Sequence, residues 1–266
     1  MRFTVFGSSG FIGRALASHL IEMGHDLFLP EKGSRTFQKK SLGHVIYCVG
    51  LTSDFRTRPF DTIDAHIFAA SEVLRFGEFE SFLYLSSTRV YQNATSTDEL
   101  AQIPVNPSVS GELYNLSKLA GETLTLNSGG PNTRVARLSN VIGPKASIQT
   151  NSFVGLIAKD AAAGRVIMQT SPETCKDYVW IGDVVSILTQ IASRGRDRIY
   201  NVASGRSIRH IEWTNALKIS TGCEVVYQKN APNLSFSPIE IGRIRNEFAY
   251  VPHDVRSRMP GLFGVE

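Results

Sequence analysis

The feature that most constrains this chain is a glycine-spaced turn close to its start. Phe3-Thr4-Val5-Phe6 is a short apolar, β-prone run, and it leads directly into Gly7-Ser8-Ser9-Gly10-Phe11-Ile12-Gly13. Beyond the glycines, Leu16, Leu20 and Met23 recur at helical spacing, and Gly24 stands where a helix would be closed by a left-handed residue. Three glycines at this spacing let the chain reverse from strand to helix with positive φ available, and let helix and strand pack closely. Few architectures other than an open α/β sheet begin this way.

The rest of the sequence continues the alternation. Strands are expected at residues 26–29, 45–49, 82–86, 134–138 and 199–202. Helices are expected at residues 62–76, 114–126, 153–163, 183–193 and 211–221. Strands separated by helices imply parallel βαβ units with both sheet faces covered. After Asn140 the pattern loosens, with Gly143-Pro144 marking a turn. We expect a sheet domain from residues 1–139 plus 173–204, and a small lobe from residues 140–172 plus 205–266.

In that context the turn has a chemical reading. Gly10 lets a pyrophosphate approach the backbone, and the free N–H groups and positive dipole at the helix start favour its charge. No Lys-Ser/Thr follows, so a Walker-type phosphate loop is excluded. Glu31, after the second strand, suits the adenosine ribose hydroxyls and hence NAD; Lys32 and Arg35 beside it suit the 2′-phosphate of NADP.

Composition narrows the class. Of the 266 residues, 42% are hydrophobic and 20% charged, enough for a sizeable core. No apolar run approaches membrane-span length, and no leader-like segment precedes Phe3, so a mature cytoplasmic protein is expected. Cys48, Cys175 and Cys223 lie far apart without CxxC or ligand-spaced histidines, which argues against disulfides and structural zinc. The net charge is +4, with arginines in pairs at 56/58, 194/196, 206/209, 243/245 and 256/258. Most read as solvated surface, and the sharper reading is an anionic small ligand such as a nucleotide diphosphate. Interspersed acidic residues disfavour nucleic acid.

A second constellation stands further along. Tyr114 and Lys118 are one helical turn apart, and Ser86-Ser87-Thr88 ends a strand, the end at which open parallel sheets bind ligands. With Val45–Gly50, Leu85–Tyr91, Arg137–Pro144, Lys176–Val184 and Tyr200–Ser204, these segments give the chain its family character. It resembles the extended short-chain dehydrogenase/reductases, the NAD-dependent epimerase/dehydratase group that acts mostly on sugar nucleotides. The resemblance implies an α/β fold with a Rossmann-type doubly wound parallel sheet and a small C-terminal substrate lobe. It implies catalysis by Ser87, Tyr114 and Lys118: Tyr114 as acid/base with its phenol pKa lowered by a neighbouring ammonium, Lys118 supplying that charge, Ser87 bonding the reacting oxygen. It places NAD, with NADP possible, against Gly7, Ser9, Gly10, Phe11, Ile12, Gly13, Glu31, Val49, Gly50, Ser86, Tyr114 and Lys118. The substrate would meet Thr88 and Asn140. A nucleotide sugar and a homodimer built from the helices after Thr62 and around Tyr114 are the implied partners, with no metal.

Three departures qualify the resemblance. The dehydratases carry an Asp-Glu pair where Thr88 and Arg89 stand, so water elimination is disfavoured. His66 replaces an Asn of the helix after the third strand; it either takes over that residue's bonding or water-holding role or is a helix histidine satisfied by backbone. The stretch from Glu31 to Val45 is too short for the further helix and strand that usually carry an adenine-contacting Asp. C4 epimerisation and 4-ketosugar reduction both fit, as does reduction of a non-sugar ketone. A non-catalytic dinucleotide sensor fits less well, because such relatives commonly lose the Tyr-Lys pair. A serine hydrolase is disfavoured by the lack of a nucleophile elbow.

Overall fold

A computed structural model describes residues 1–51, 54–109, 111–128, 130, 132–144, 152–234 and 236–263. The chain opens with β1 (Arg2–Phe6), α1 (Phe11–Glu22), β2 (Asp26–Phe28) and β3 (His44–Tyr47). A helix over residues 59–76 follows, in three segments: α2 (Pro59–Ile63), a π-helical turn (Asp64–Phe68) and α3 (Ala69–Phe76). Next come β4 (Ser81–Ser87), α4 (Glu112–Ser128) and β5 (Thr133–Leu138). The later segments are β6 (Asn140–Ile142), α5 (Phe153–Ala162), β7 (Arg165–Met168), β8 (Cys175–Trp180), α6 (Ile181–Arg194) and β9 (Ile199–Val202). The last are β10 (Ser207–Arg209), α7 (His210–Thr221), β11 (Glu224–Tyr227), α8 (Gly242–Phe248) and α9 (Met259–Phe263).

Six strands form one parallel sheet in the order β2-β1-β3-β4-β5-β9, the Rossmann-type α/β fold expected. Its strands alternate strictly. Ile46, Leu83, Leu85 and Ala136 point into one core with Leu16 and Leu20 of α1 and Ile187 and Leu188 of α6. Val45, Tyr47, Phe82, Tyr84 and Val135 point into another with Val73 and Leu74 of α3. Period-two alternation between two apolar faces is what a sheet covered on both sides requires. The chain runs from β1 outward to β2, then returns across β1 to β3. The carboxyl ends of β1 and β3 therefore flank the switch point where such sheets bind ligands.

The compressed segment is visible as structure. Between Glu31 and β3 there is one 3₁₀ turn, Thr36–Lys39, whose Phe37 is buried edge-on against Phe6 at 5.5 Å. β2 is consequently the edge strand. It ends at Phe28, so Leu29 lies outside it. Met23 also departs from expectation. It caps α1 and is 61% exposed, while Leu16 and Leu20 carry the packing.

Beyond Asn140 a separate core gathers Ile142, Ile157, Val166, Tyr178, Trp213 and Phe263. It supports a three-stranded sheet, β10-β8-β6, and a two-stranded one, β11-β7. β8 joins the cores: Val179 faces the large one and Tyr178 the small one. Residues 145–151, 235 and 264–266 of the expected lobe lie outside the described residues. Among the described residues no helix is long and apolar enough to cross a membrane.

Candidate functional site

At the switch point the glycine turn is fixed by sterics. Gly7 has φ of 78°, and a Cβ there would lie 3.0 Å from the Cys48 carbonyl carbon and the Val49 nitrogen. A Cβ on Gly13 would clash with the Gly7 carbonyl and approach Ser8 Cα at 2.8 Å. Gly10 precedes α1 in extended conformation, donates to the Gly7 carbonyl at 3.0 Å and offers no side-chain cap. The first turn of α1 holds no acidic residue. The N–H groups at this end thus lack a side-chain acceptor, as an anion cradle needs. Ser9 is exposed on the turn, and Phe11 and Ile12 rest half-buried on the large core.

A cleft of about 330 Å³ opens beside it, lined by Ile12, Val49, Gly50, Ser86, Ser87, Arg89, Tyr114, Lys118 and Asn140, among others. Lys118 Nζ is buried at its floor and donates to the Leu85 carbonyl at 2.9 Å. Burial brings its pKa down to about 8, against the pull of Glu122. Gly50 leaves the room for this: a Cβ there would lie 3.1 Å from His66 Nε2 and 3.2 Å from Lys118 Nζ.

His66 is fully buried on the π-helical turn. The Leu51 N–H donates to its Nε2 at 3.2 Å, so Nδ1 carries the proton. Nδ1 donates to Ser117 Oγ at 2.8 Å, and Ser117 donates to the Tyr114 carbonyl at 2.9 Å. Burial, then the Lys118 charge, push the His66 pKa down to about 3. His66 is therefore a neutral link between the loop after β3 and the helix carrying Tyr114 and Lys118. The turn's register also presents the Ala65 and His66 carbonyls to the hydroxyls of Tyr47 and Tyr84, at 2.7 and 3.0 Å. Inserted π-turns recur at functional sites.

Sequence reasoning missed the charged network beneath the cleft. Glu122, one turn after Lys118, accepts from Ser86 Oγ at 2.5 Å and from Arg137 Nη2 at 2.6 Å. Arg137 Nη1 donates to Tyr91 Oη at 2.6 Å, which donates to Asn201 Oδ1 at 2.9 Å. Burial lowers the Arg137 pKa, but Glu122 and Tyr91 outweigh it and hold the guanidinium above its ordinary value. The available signal was Lys118-x-x-x-Glu122, two opposite charges on one face of a helix that also buries its polar residues.

Tyr114 stands at the mouth, buried, with its ring 5.3 Å from Phe55 and edge-on to His66 at 5.5 Å. Ser87 and Tyr114 line the same cleft, close enough for Ser87 to act on the phenol. Contrary to expectation, the phenol pKa is raised, by burial, and what opposes the rise is Ser87 and the Arg89 charge. The Lys118 ammonium is bonded to Leu85 instead. Arg89 lies 5.4 Å from the Tyr114 ring centre and 5.0 Å from that of Phe55, whose ring Arg56 also approaches, at 4.6 Å. Thr88 is buried in the 3₁₀ turn after β4. Asn140 is exposed, donating to the Asp177 carbonyl at 2.8 Å. Glu31 and Lys32 are exposed on the turn after β2, apart from the cleft lining, and Arg35 pairs with Glu72 at 3.2 Å.

A Rossmann-type sheet with a glycine cradle at its switch point, and with Ser87, Tyr114 and Lys118 lining the cleft beside it, defines an α/β fold whose ligand crevice lies at the strand ends. The family model "NAD dependent epimerase/dehydratase family" matches residues 3–203, and the chain belongs to that family, whose cofactor is NAD. It is 24% identical over 207 residues to UDP-arabinose 4-epimerase 1 of Arabidopsis thaliana, covering 66% of this chain and 48% of that protein. The chain thus spans about half the length of that relative. UDP-glucuronic acid decarboxylase 6 of the same plant is 22% identical over 269 residues, covering 88% of this chain and 78% of that one. The structure of RMD from Pseudomonas aeruginosa complexed with NADPH superposes with a TM-score of 0.80 at 22% identity, covering 99% of this chain and 98% of that one.

Proposed function

We propose that the protein interconverts C4 epimers of a nucleotide-linked sugar, with residues 1–139 and 173–204 holding NAD and residues 140–172 and 205–266 holding the sugar nucleotide. The observation that carries this is the Ser87–Tyr114 pair facing one cleft with the buried Lys118, while Thr88 and Arg89 occupy the positions from which carboxylates would drive water elimination. A 4-epimerase among the relatives supports the choice of carbon.

The cradle fits the cofactor: Gly7, Gly10 and Gly13 open the backbone, and Val49 and Gly50 continue the lining. When bound, NAD supplies a hydride acceptor and later the donor. Tyr114 takes the C4 hydroxyl proton during oxidation and returns it during reduction. The Arg89 charge and the Ser87 hydroxyl draw Tyr114 toward phenolate against its burial. Ser87 steadies the oxygen at C4. Lys118, charged below about pH 8, would hold the nicotinamide ribose. Ser86 supports this wall by fixing Glu122. Asn140, in the cleft lining, and the neighbouring Thr88 would border the sugar, and Glu31 would hold the adenosine ribose, while NADP would instead call on Lys32 or Arg35. The exposed Phe60 and Phe68 support a homodimer through the helix over residues 59–76 and α4. The reading places the protein in the cytoplasm.

The test is purification followed by cofactor extraction and assay with 4-epimer pairs of UDP- and dTDP-sugars. NAD retained at about one per chain, with interconversion requiring no added cofactor, is the expected result. Stoichiometric NAD(P)H consumption overturns epimerisation in favour of 4-keto reduction.

A further inference from the structure

Among the described residues, the Arg89 guanidinium has no ion-pair partner. Its guanidinium lines the cleft, and its one hydrogen bond among the described residues runs from Nη2 to the Gly111 carbonyl at 3.3 Å. The carboxylate that acts on it, Glu112, is engaged by the Asn93 and Asn115 side-chain amides at 3.2 and 3.0 Å. Its other charged neighbours are cations. Arg56 approaches the same phenylalanine ring, and Lys176 is close enough for its ammonium to be disfavoured by Arg89. Burial and Arg56 lower the Arg89 pKa accordingly. Arg137, the buried arginine beneath the cleft, is bonded to Glu122, Tyr91 and the Glu99 carbonyl. A partly desolvated guanidinium left among cations is unfavourable unless an anion completes it.

We propose that Arg89 reads a carboxylate on the sugar ring, so that the preferred substrate is a nucleotide-linked uronic acid and not a neutral hexose; this rests on the C4 chemistry proposed above. The position decides which anion it meets. Tyr114 works at C4, and Arg89 lies against the Tyr114 ring, 5.4 Å from its centre. In a six-membered sugar the substituent on C5 is adjacent to C4. The diphosphate hangs from C1, across the ring, and is therefore directed away from the Tyr114–Arg89 pair. Neutral hydroxyls accept from a guanidinium, but a carboxylate accepts two parallel charge-assisted bonds and cancels the local charge. The cation–π contacts with Phe55 and Tyr114 hold the guanidinium plane in place for that geometry.

The experiment compares kcat/KM for UDP-glucuronic acid with UDP-glucose, and for the corresponding dTDP pair, in the wild-type chain, Arg89→Met and Arg89→Lys. Calorimetric affinities for the same four compounds are measured in NAD-loaded Tyr114→Phe protein with and without Arg89→Met. The wild type favours the uronic acid, and Arg89→Met lowers that preference on the order of 10- to 100-fold in both ratios. Arg89→Lys restores part of it, since charge returns without the fork. Equal losses on acid and neutral sugar, or a wild-type preference for the neutral sugar, overturn the proposal. If no pair is epimerised, the C4 reading fails, while the affinity ratio still decides whether Arg89 selects a carboxylate.

Discussion

On the wall formed by β3, β4 and α4, the charged groups approaching the cleft are bonded inside the protein. Lys118 is held by the Leu85 carbonyl, Glu122 by Ser86 and Arg137, and His66 by the Leu51 N–H and Ser117. At the edge of that wall, just beyond β4, Arg89 has one carbonyl bond among the described residues, and Lys176 of β8 lies over the Phe236 ring at 5.4 Å. The bonds of the first wall close within the protein. The second group presents the Arg89 charge to the cleft where the sugar nucleotide is proposed to bind, with Lys176 close enough to feel it. On the function proposed above, the difference teaches where each property would be stored: reaction geometry in internal bonds, substrate choice in a charge that a ligand completes.

The hardest blow to the first wall is chemical. Tyr114→Phe removes the acid/base hydroxyl and leaves ring packing on Phe55 and His66 intact. Turnover should fall about 10³-fold or more, with NAD affinity, by fluorescence titration, changed only a few-fold. Near-normal turnover would remove Tyr114 from the mechanism.

Next comes the network below it. Glu122→Gln leaves Arg137 and Lys118 as uncompensated buried cations. Urea unfolding should show a loss of about 3–5 kcal/mol. By contrast, Arg35→Ala, which breaks the exposed pair with Glu72, should change stability by less than about 0.5 kcal/mol. Similar losses for both would mean that the buried network is not a structural centre.

How much of this was legible follows the same division. The turn at Gly7, Gly10 and Gly13 and the Tyr114–Lys118 spacing were readable because backbone sterics and one helical turn dictate residue type and interval. Glu122 and Arg137 were not assigned, because a pair joining a helix to a strand has no fixed spacing in sequence. Strands β6, β7, β8, β10 and β11 were also not predicted. They run three to six residues each, too short for alternation to declare itself. The 3₁₀ turn at Thr36–Lys39 was foreseen only as a shortage of chain. Arg89 was noticed for what it excludes, and its unpaired charge became visible only with its neighbours placed.

Lys118 tests whether function and stability oppose each other on the completed wall. Its pKa of about 8 lies below the ordinary lysine value of 10.5, so burying the charged form opposes folding fully below pH 8, and the opposition fades as pH rises toward 10.5. Lys118→Met should therefore abolish turnover yet stabilise the chain at pH 7 by about 1–3 kcal/mol. The gain should shrink between pH 8 and 10. A destabilised Lys118→Met protein would show that the bond to Leu85 outweighs desolvation.

The last effect depends on pH and concerns the link at His66. Its pKa falls from 6.5 to about 3 on folding, so below pH 6.5 the unfolded chain binds a proton that the folded chain refuses. Stability is then lost as pH falls from 6.5 toward 3, by about 1.4 kcal/mol per pH unit from this residue. His66→Asn offers a side-chain oxygen to the Leu51 N–H without a titrating group. Its unfolding free energy from urea titration should match wild type within about 0.5 kcal/mol at pH 7.5 and exceed it by about 1 kcal/mol or more near pH 5. Parallel pH profiles for the two proteins would mean that His66 takes up its proton in the folded state, and that the neutral link from Leu51 to the Tyr114 helix does not survive acid.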